Sequence, residues 1–157
     1  QMRLLFIIWV RLKITFPEDR TIVNNTIKAI YQSETEKFKK ARTELIRDKL
    51  EADHLISCDD NGKEYIAVYR GVNHKSASSD IAISWTYNID VAKHFANMFA
   101  YSHRDDRCCK VLKGRIYIND ILDIAYNRQE DEIIAFPNKV FDISEIDGFV
   151  ANYNYNG

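Results

Sequence analysis

The first third of the chain shows the hydrophobic period of amphipathic helices. Apolar residues recur there at i, i+4, i+7 and i+8, which places them on one helical face. The residues of this face are Val23, Ile27, Ile30 and Tyr31. Residues 16–19 (Phe-Pro-Glu-Asp) predict the start of the helix, because proline and acidic residues are favoured in a first turn.

A second helix is predicted to follow directly. Ser33 and Glu36 have the spacing of a capping box. The predicted apolar stripe of this helix is Phe38, Ala41 and Leu45. Basic residues cluster in the same segment, 37–49, and include Lys37, Lys39, Lys40 and Arg42. They fit either a solvated helix face or a groove for an acidic partner or nucleic acid.

After Cys58 the hydrophobic period shortens to 2, which indicates β-strands. The predicted strands are residues 64–70, 80–86, 110–118 and 131–136. One helix interrupts them, capped by Asn88 or Asp90, with an apolar stripe of Val91, Phe95, Met98 and Phe99. A shorter helix is predicted over residues 120–126.

Helices followed by strands predict an α+β fold. We expect a helical N-terminal extension over residues 1–58 and a β-rich core over residues 59–157, together forming one compact domain.

Composition narrows the functional classes. The 157 residues carry 22 Lys+Arg and 23 Asp+Glu, a net charge of −1, so general electrostatic binding of nucleic acid is not expected. The apolar run at residues 4–10 is much shorter than the roughly 20 residues that span a bilayer. Three cysteines without zinc-ligand spacing favour reduced thiols, a cytoplasmic location and no metal site.

The first candidate functional residue is Arg70. Strand alternation places it on one face with Ile66 and Val68. A charged residue at the end of an apolar face must reach a carboxylate, a cleft or an anionic ligand, since burying it alone is costly. Gly71 then permits a turn or the close approach of a ligand. An arginine paired with a structural acid is the alternative interpretation.

The second candidate is a pair of hydroxyls. Ser84 and Thr86 share one strand face, with Ile83 and Trp85 on the other. Such hydroxyls can hydrogen-bond a ligand amide or ribose, although a solvent-exposed sheet face has the same pattern.

The third candidate is a pair of carboxylates. Period 2 places Glu130 and Glu132 on one face with Ile134, and Asp131 on the opposite face. Two stacked carboxylates on an increasingly apolar face have the character of a functional site. The alternative is an acidic loop that precedes a buried strand.

Together these residues resemble a known enzyme family. Tyr-Arg-Gly at 69–71, Ser-Trp-Thr at 84–86 and Glu-Asp-Glu at 130–132 occur in the order found in ADP-ribosyltransferases. The similarity is to the arginine–serine–glutamate branch, which includes cholera-toxin-like and bacterial or phage mono-ADP-ribosyltransferases. It covers residues 64–146 and departs from the commonest hydroxyl motif at Trp85 and Thr86. The resemblance implies a mixed β core of two packed small sheets.

The resemblance also implies a cofactor-binding group. Arg70, with Gly71 beside it, would hold the diphosphate of NAD, a task suited to a planar and permanently charged donor. Ser84 and Thr86 would organise the site around the nicotinamide ribose.

The catalytic residues implied by the resemblance are two glutamates. Glu132 would bind the ribose hydroxyl and stabilise an oxocarbenium-like transition state. Glu130 would orient or deprotonate the acceptor, and a glutamate at this place favours arginine as the acceptor.

The predicted function is therefore transfer of ADP-ribose from NAD to a protein acceptor, with release of nicotinamide, in a bacterial or phage toxin or effector. An NAD glycohydrolase is the alternative within the class. A non-catalytic module that binds through the basic helix 37–49 is the alternative outside it. A metal-dependent nuclease built on Glu130, Asp131 and Glu132 is disfavoured, because Asp131 is predicted to face away and the strand carries no lysine.

Overall fold

A computed structural model describes residues 8, 11, 20–73, 76, 82–98, 109–124 and 131–150. The helices of this part of the chain are α1 (Arg20–Ser33), α2 (Glu36–Ala52) and α3 (Ile89–Asn97). The strands are β1 (Ser57–Cys58), β2 (Glu64–Val72), β3 (Ser84–Thr86), β4 (Lys110–Tyr117), β5 (Ile121–Ile124), β6 (Glu132–Ala135) and β7 (Phe141–Glu145). Helices and strands that occupy largely separate stretches confirm the predicted α+β class.

The first predicted helix is confirmed along its buried face. Val23 and Ile27 of α1 are fully buried, and Ile30 and Tyr31 pack against the same core cluster as partly buried side chains. The predicted helix start at residues 16–19 lies outside the described residues.

The predicted start of the second helix is wrong by two residues. Ser33 ends α1, where its hydroxyl donates to the carbonyl of Ile30. The N-cap of α2 is Thr35, whose extended backbone lets its side chain accept from the amide of Phe38 at 3.2 Å. The Thr35 hydroxyl, two residues after Ser33, therefore caps the first turn of α2.

The buried face of α2 also differs from the prediction. Its buried residues are Arg42, Ile46 and Leu50, whereas Leu45 is 44% exposed. The apolar pattern was misleading because a charged residue, Arg42, belongs to the buried stripe.

Arg42 is buried because it is fully paired. Its two terminal nitrogens donate to the two carboxylate oxygens of Glu34, each at 2.6 Å. The guanidinium also lies over the rings of Tyr31 and Phe38. Burial lowers the pKa of Arg42, but the hydrogen bonds and charge of Glu34 raise it. The charge of the buried Asp123 adds to this, so the pKa is raised overall. This residue is therefore no part of a solvated basic face.

The strands form one sheet in the order β5-β6-β3-β2-β4-β7, with β1 added to β2. Its longest pairing joins β2 and β4, from Tyr65 opposite Tyr117 to Val72 opposite Lys110. The predicted strands at 64–70 and 110–118 are confirmed by β2 and β4.

Every pairing between described strands is antiparallel, so the predicted mixed β core is wrong in that respect. The predicted packing of two small sheets is not confirmed, because the described strands form one sheet whose two halves meet at a narrow junction. The junction of β2 with β3 has a single register pair, Tyr69 opposite Thr86. Within the described strands the two halves of the sheet thus pair at one register position, beside the candidate residues.

Two predicted strands are shorter than expected. Within residues 80–86 the strand is Ser84–Thr86, and residues 80 and 81 lie outside the described part. Within residues 131–136 it is Glu132–Ala135, because Asp131 has a left-handed backbone, with φ of 47°.

The predicted short helix at residues 120–126 is wrong over its described part. Ile118–Asp120 form a 3₁₀ turn, and Ile121–Ile124 form strand β5, which is buried along its whole length. Short apolar runs do not distinguish a buried strand from a buried helix. Pairing with β6 decides for the strand.

Helix α3 is confirmed, with Asn88 as its cap. Its fully buried residues are Ala92 and Ala96. Val91, Phe95 and Met98 of the predicted stripe are only half-buried, and Phe99 lies outside the described residues. Small side chains are buried because this helix lies unusually close to the sheet, as described below.

The main core cluster joins α2 to both halves of the sheet. Ile46 and Leu50 of α2 pack with Ile66 and Val68 of β2 and with Trp85 of β3. The division at residue 58 stays a prediction, although β1 pairs with β2 across that point. No helix in the described ranges combines the length and hydrophobicity needed to cross a membrane.

We expect Arg42→Met to destabilise the protein by about 3 kcal/mol, because it leaves the partly buried Glu34 carboxylate without its cation. Urea unfolding measures this change. The control is Lys37→Met, which alters an exposed residue of the same helix and should change stability by no more than about 0.5 kcal/mol. Equal stability of the two variants would show that the buried pair contributes nothing.

Candidate functional site

The candidate site lies where β2 and β3 meet. Ile66 and Val68 are fully buried on the predicted face of β2, and Arg70 follows them. Just beyond the Tyr69–Thr86 register pair, Nη1 of Arg70 donates to the backbone carbonyl of Ser84 at 3.2 Å. The guanidinium therefore bridges the two strands at the narrow junction of the sheet.

Ser84 and Glu132 are brought together by the pairing of β3 with β6. Ser84 lies opposite Ile134, and Thr86 lies opposite Glu132, so Ser84 and Glu132 are diagonal neighbours on one face. The Ser84 hydroxyl donates to Oε1 of Glu132 at 2.5 Å. This hydrogen bond joins β3 directly to the acid of β6.

Glu132 is a buried acid, with 6% of its surface exposed. A carboxylate at such a position needs hydrogen-bond donors to offset its loss of water. Ser84 supplies one of them from the neighbouring strand. Ser84 therefore contacts both charged residues. Its hydroxyl donates to the Glu132 carboxyl group, and its backbone carbonyl accepts from the guanidinium of Arg70.

Thr86, predicted to bind the cofactor, has internal hydrogen bonds. Its hydroxyl donates to the carbonyl of Asp131 at 3.0 Å and accepts from the amide of Asn88 at 3.1 Å. A hydroxyl has one proton to donate, and this one is directed to the residue before Glu132. In this structure Thr86 thus joins β3 to the start of β6, and its contact with a cofactor stays a prediction.

Gly71, also predicted to bind the cofactor, permits a close approach, but of a helix. A Cβ built on Gly71 would lie 2.0 Å from the carbonyl oxygen of Ala92 and 2.7 Å from the amide nitrogen of Ala96. Helix α3 therefore rests directly on the backbone of β2, next to Arg70. This contact also explains why alanines form the buried face of α3.

Asp131 is a site residue that the sequence pattern misplaced. It was predicted on the strand, facing away from Glu132, yet it lies outside β6 with a left-handed backbone. Its carbonyl accepts from the Tyr87 amide at 3.1 Å, and its Oδ2 accepts from Nδ2 of Asn88 at 3.0 Å. The one available signal was residue type, since aspartate tolerates positive φ better than most residues.

Tyr87 completes the contacts of Asp131. Its phenol lies near the Asp131 carboxylate and interacts with it electrostatically. Burial, together with that carboxylate, raises the pKa of the Tyr87 phenol well above its usual value of 10.0. The phenol is therefore a hydrogen-bond donor throughout the physiological pH range.

The second predicted catalytic residue, Glu130, lies outside the described residues. No group of acids, histidines and cysteines within the described ranges could hold a metal ion.

The basic helix makes several ion pairs within the protein. Arg47 binds Glu64 and Glu51, and Lys49 lies 2.9 Å from a carboxylate oxygen of Asp53. The pair with Glu64 raises the pKa of Arg47 and lowers that of Glu64. Much of the predicted basic surface of segment 37–49 is thus matched by acids of the same chain.

The chain matches no protein-family model, no curated protein and no solved structure. The contacts of Arg70, Ser84 and Glu132 are therefore the basis for a functional proposal.

We expect Gly71→Ala to destabilise the protein by about 3 kcal/mol, because the added methyl group would overlap backbone atoms of α3. Thermal and urea unfolding measure the loss. Gly62→Ala is the comparison, since Gly62 has open space around it and only a positive φ of 76°. That change should cost about 1 kcal/mol. A Gly71→Ala protein as stable as the wild type would contradict the close helix contact.

Proposed function

We propose that the protein is an NAD-dependent mono-ADP-ribosyltransferase, which transfers ADP-ribose to a protein side chain and releases nicotinamide. One observation supports this most strongly. Arg70, Ser84 and Glu132 lie on three neighbouring strands and are connected by hydrogen bonds from the guanidinium to Ser84 and from Ser84 to the carboxylate. The resemblance had selected the same three residues from the sequence.

The environment of Glu132 supports the proposal. Cleavage of the bond between C1′ of the ribose and nicotinamide builds positive charge on the sugar. A carboxylate fixed beforehand beside that charge stabilises the transition state, as in glycoside cleavage. Because Ser84 holds Glu132 in place, little reorganisation is needed when the charge develops.

Arg70 provides the opposite charge at the junction of β2 and β3. A guanidinium is always protonated and suits the oxygen atoms of a diphosphate. In this proposal it binds the NAD diphosphate, and its bond to the Ser84 carbonyl sets its position relative to Glu132.

In the proposed reaction the C1′–nitrogen bond breaks and nicotinamide leaves with the electron pair. A nucleophile of the acceptor then bonds to C1′ and gives up one proton. On the resemblance alone, we propose that Glu130 takes up this proton and that the acceptor is an arginine side chain. If water takes the place of the acceptor, the same site is an NAD glycohydrolase. The proposed setting, a cytoplasmic toxin or effector of bacterial or phage type, has the same basis.

We expect Glu132→Gln to lower NAD turnover by about a thousandfold or more, because the negative charge beside the ribose is lost. The assay uses NAD labelled in the adenylate part, incubated with the protein and a cell lysate. Glu145→Gln, on the exposed strand β7, is the matched control and should keep wild-type turnover. Unchanged turnover in Glu132→Gln would disprove the role of Glu132.

The same assay separates the alternatives. Label on lysate proteins together with free nicotinamide identifies a transferase, and mass spectrometry of the labelled proteins identifies the acceptor residue. Nicotinamide release without labelled protein identifies a glycohydrolase. Absence of both from the wild type would contradict the proposal and favour a non-catalytic module.

We expect Ser84→Ala to lower turnover by about ten- to a hundredfold, the effect of losing one hydrogen bond to a charged group. Steady-state kinetics of nicotinamide release measure it. Ser144→Ala, an exposed serine of β7, is the control. Full activity of Ser84→Ala would show that the Ser84–Glu132 hydrogen bond does not contribute to catalysis.

A further inference from the structure

We propose that Asp131 is a positioning residue, which orients Glu132 by binding the corner between β3 and α3 formed by Thr86, Tyr87 and Asn88. The inference rests on the proposed function, because Glu132 is the catalytic residue that it concerns. Asp131 itself is not assigned a contact with substrate.

The backbone of Asp131 is held by two consecutive residues of the corner. Its carbonyl oxygen accepts from the Thr86 hydroxyl at 3.0 Å and from the Tyr87 amide at 3.1 Å. Thr86 is also the register partner of Glu132. The position at which β6 begins is therefore set by β3, the strand that carries Ser84.

The side chain of Asp131 extends this connection to α3. Its Oδ2 accepts from Nδ2 of Asn88 at 3.0 Å. The other end of the Asn88 amide, Oδ1, accepts from the Asp90 amide at 3.0 Å and so caps the helix. The Asn88 side chain thus links Asp131, the residue before Glu132, to the first turn of α3.

Helix α3 links the contact between Asp131 and Asn88 to the strand that carries Arg70. The helix lies against the backbone of Gly71, the residue after Arg70. Through Asn88 and α3, the segment that carries Glu132 is held against the strand that carries Arg70. The two charged groups of the proposed site are therefore positioned by the same corner.

The left-handed backbone of Asp131 makes the proposal testable. A residue other than glycine at φ of 47° carries a conformational cost, which is lowest for asparagine and aspartate. Glycine accepts this conformation without steric cost but has no side chain to bind Asn88. Asparagine accepts it and keeps an oxygen acceptor. The two substitutions therefore separate backbone conformation from side-chain binding.

The test compares Asp131→Gly and Asp131→Asn with the wild type in nicotinamide release from NAD. We expect Asp131→Gly to lower kcat about tenfold or more with KM for NAD within about twofold, since small misplacements of a catalytic group cost this much. Asp131→Asn should stay within about threefold of the wild-type kcat. Wild-type kcat in Asp131→Gly, or equal loss in both variants, would overturn the proposal.

A reciprocal exchange tests the partner. Asn88→Asp keeps a helix-capping side chain but sets two carboxylates against each other, so kcat should fall. Adding Asp131→Asn to that variant restores a donor and an acceptor with their roles reversed, and kcat should recover. Failure to recover would mean that the contact between these side chains does not position Glu132.

Amide hydrogen exchange distinguishes failure of this inference from failure of the proposed function. The Tyr87 amide, which donates to Asp131, should exchange faster in Asp131→Gly than in Asp131→Asn or the wild type. If the wild type turns over no NAD, the proposed function fails, and with it the role of Asp131 in positioning Glu132 for catalysis. The exchange rates then still show whether the Asp131 side chain stabilises the corner after β3, and equal rates in all three proteins would overturn that role.

Discussion

Burial of the Glu132 carboxylate is the constraint around which the site is organised. A charged group with so little exposure is tolerated only when donors replace the water that it loses. Ser84 can supply its hydroxyl because β3 pairs with β6 in a register that makes the two residues diagonal neighbours. A shift of one residue would turn one of them to the opposite face of the sheet. The strand register and the chemistry of the acid are thus mutually dependent.

The surroundings of this pair restrict that register further. Asp131 accepts hydrogen bonds from the corner after β3, so β6 has a defined beginning. Helix α3 starts from the same corner and lies on the backbone of Gly71 beside Arg70. The guanidinium of Arg70 in turn binds the carbonyl of Ser84, where β2 and β3 have a single register pair. The narrow junction of β2 with β3 keeps its geometry because α3, the corner after β3 and Arg70 all contact it.

Period-2 alternation was reliable where a strand is long. It predicted β2 and β4 and the buried face that carries Ile66 and Val68. The helix predictions failed where tertiary contacts override local preference. Arg42 belongs to a buried stripe because Glu34 neutralises it, and β5 is a strand because β6 pairs with it. Neither partner is adjacent in sequence, so neither effect is visible in a local pattern.

The sequence by itself determined which residue types occur on most strand faces, and its resemblance to a known family then indicated that Arg70, Ser84 and Glu132 were the residues to examine. Alternation has this power because neighbouring side chains in a strand must point to opposite faces. Only the tertiary structure decided which strands are neighbours, that α3 takes the space beside Gly71, and that Asp131 turns back to the corner after β3. These outcomes depend on contacts between residues far apart in the chain, where packing and hydrogen bonding select one arrangement from many that the local pattern allows.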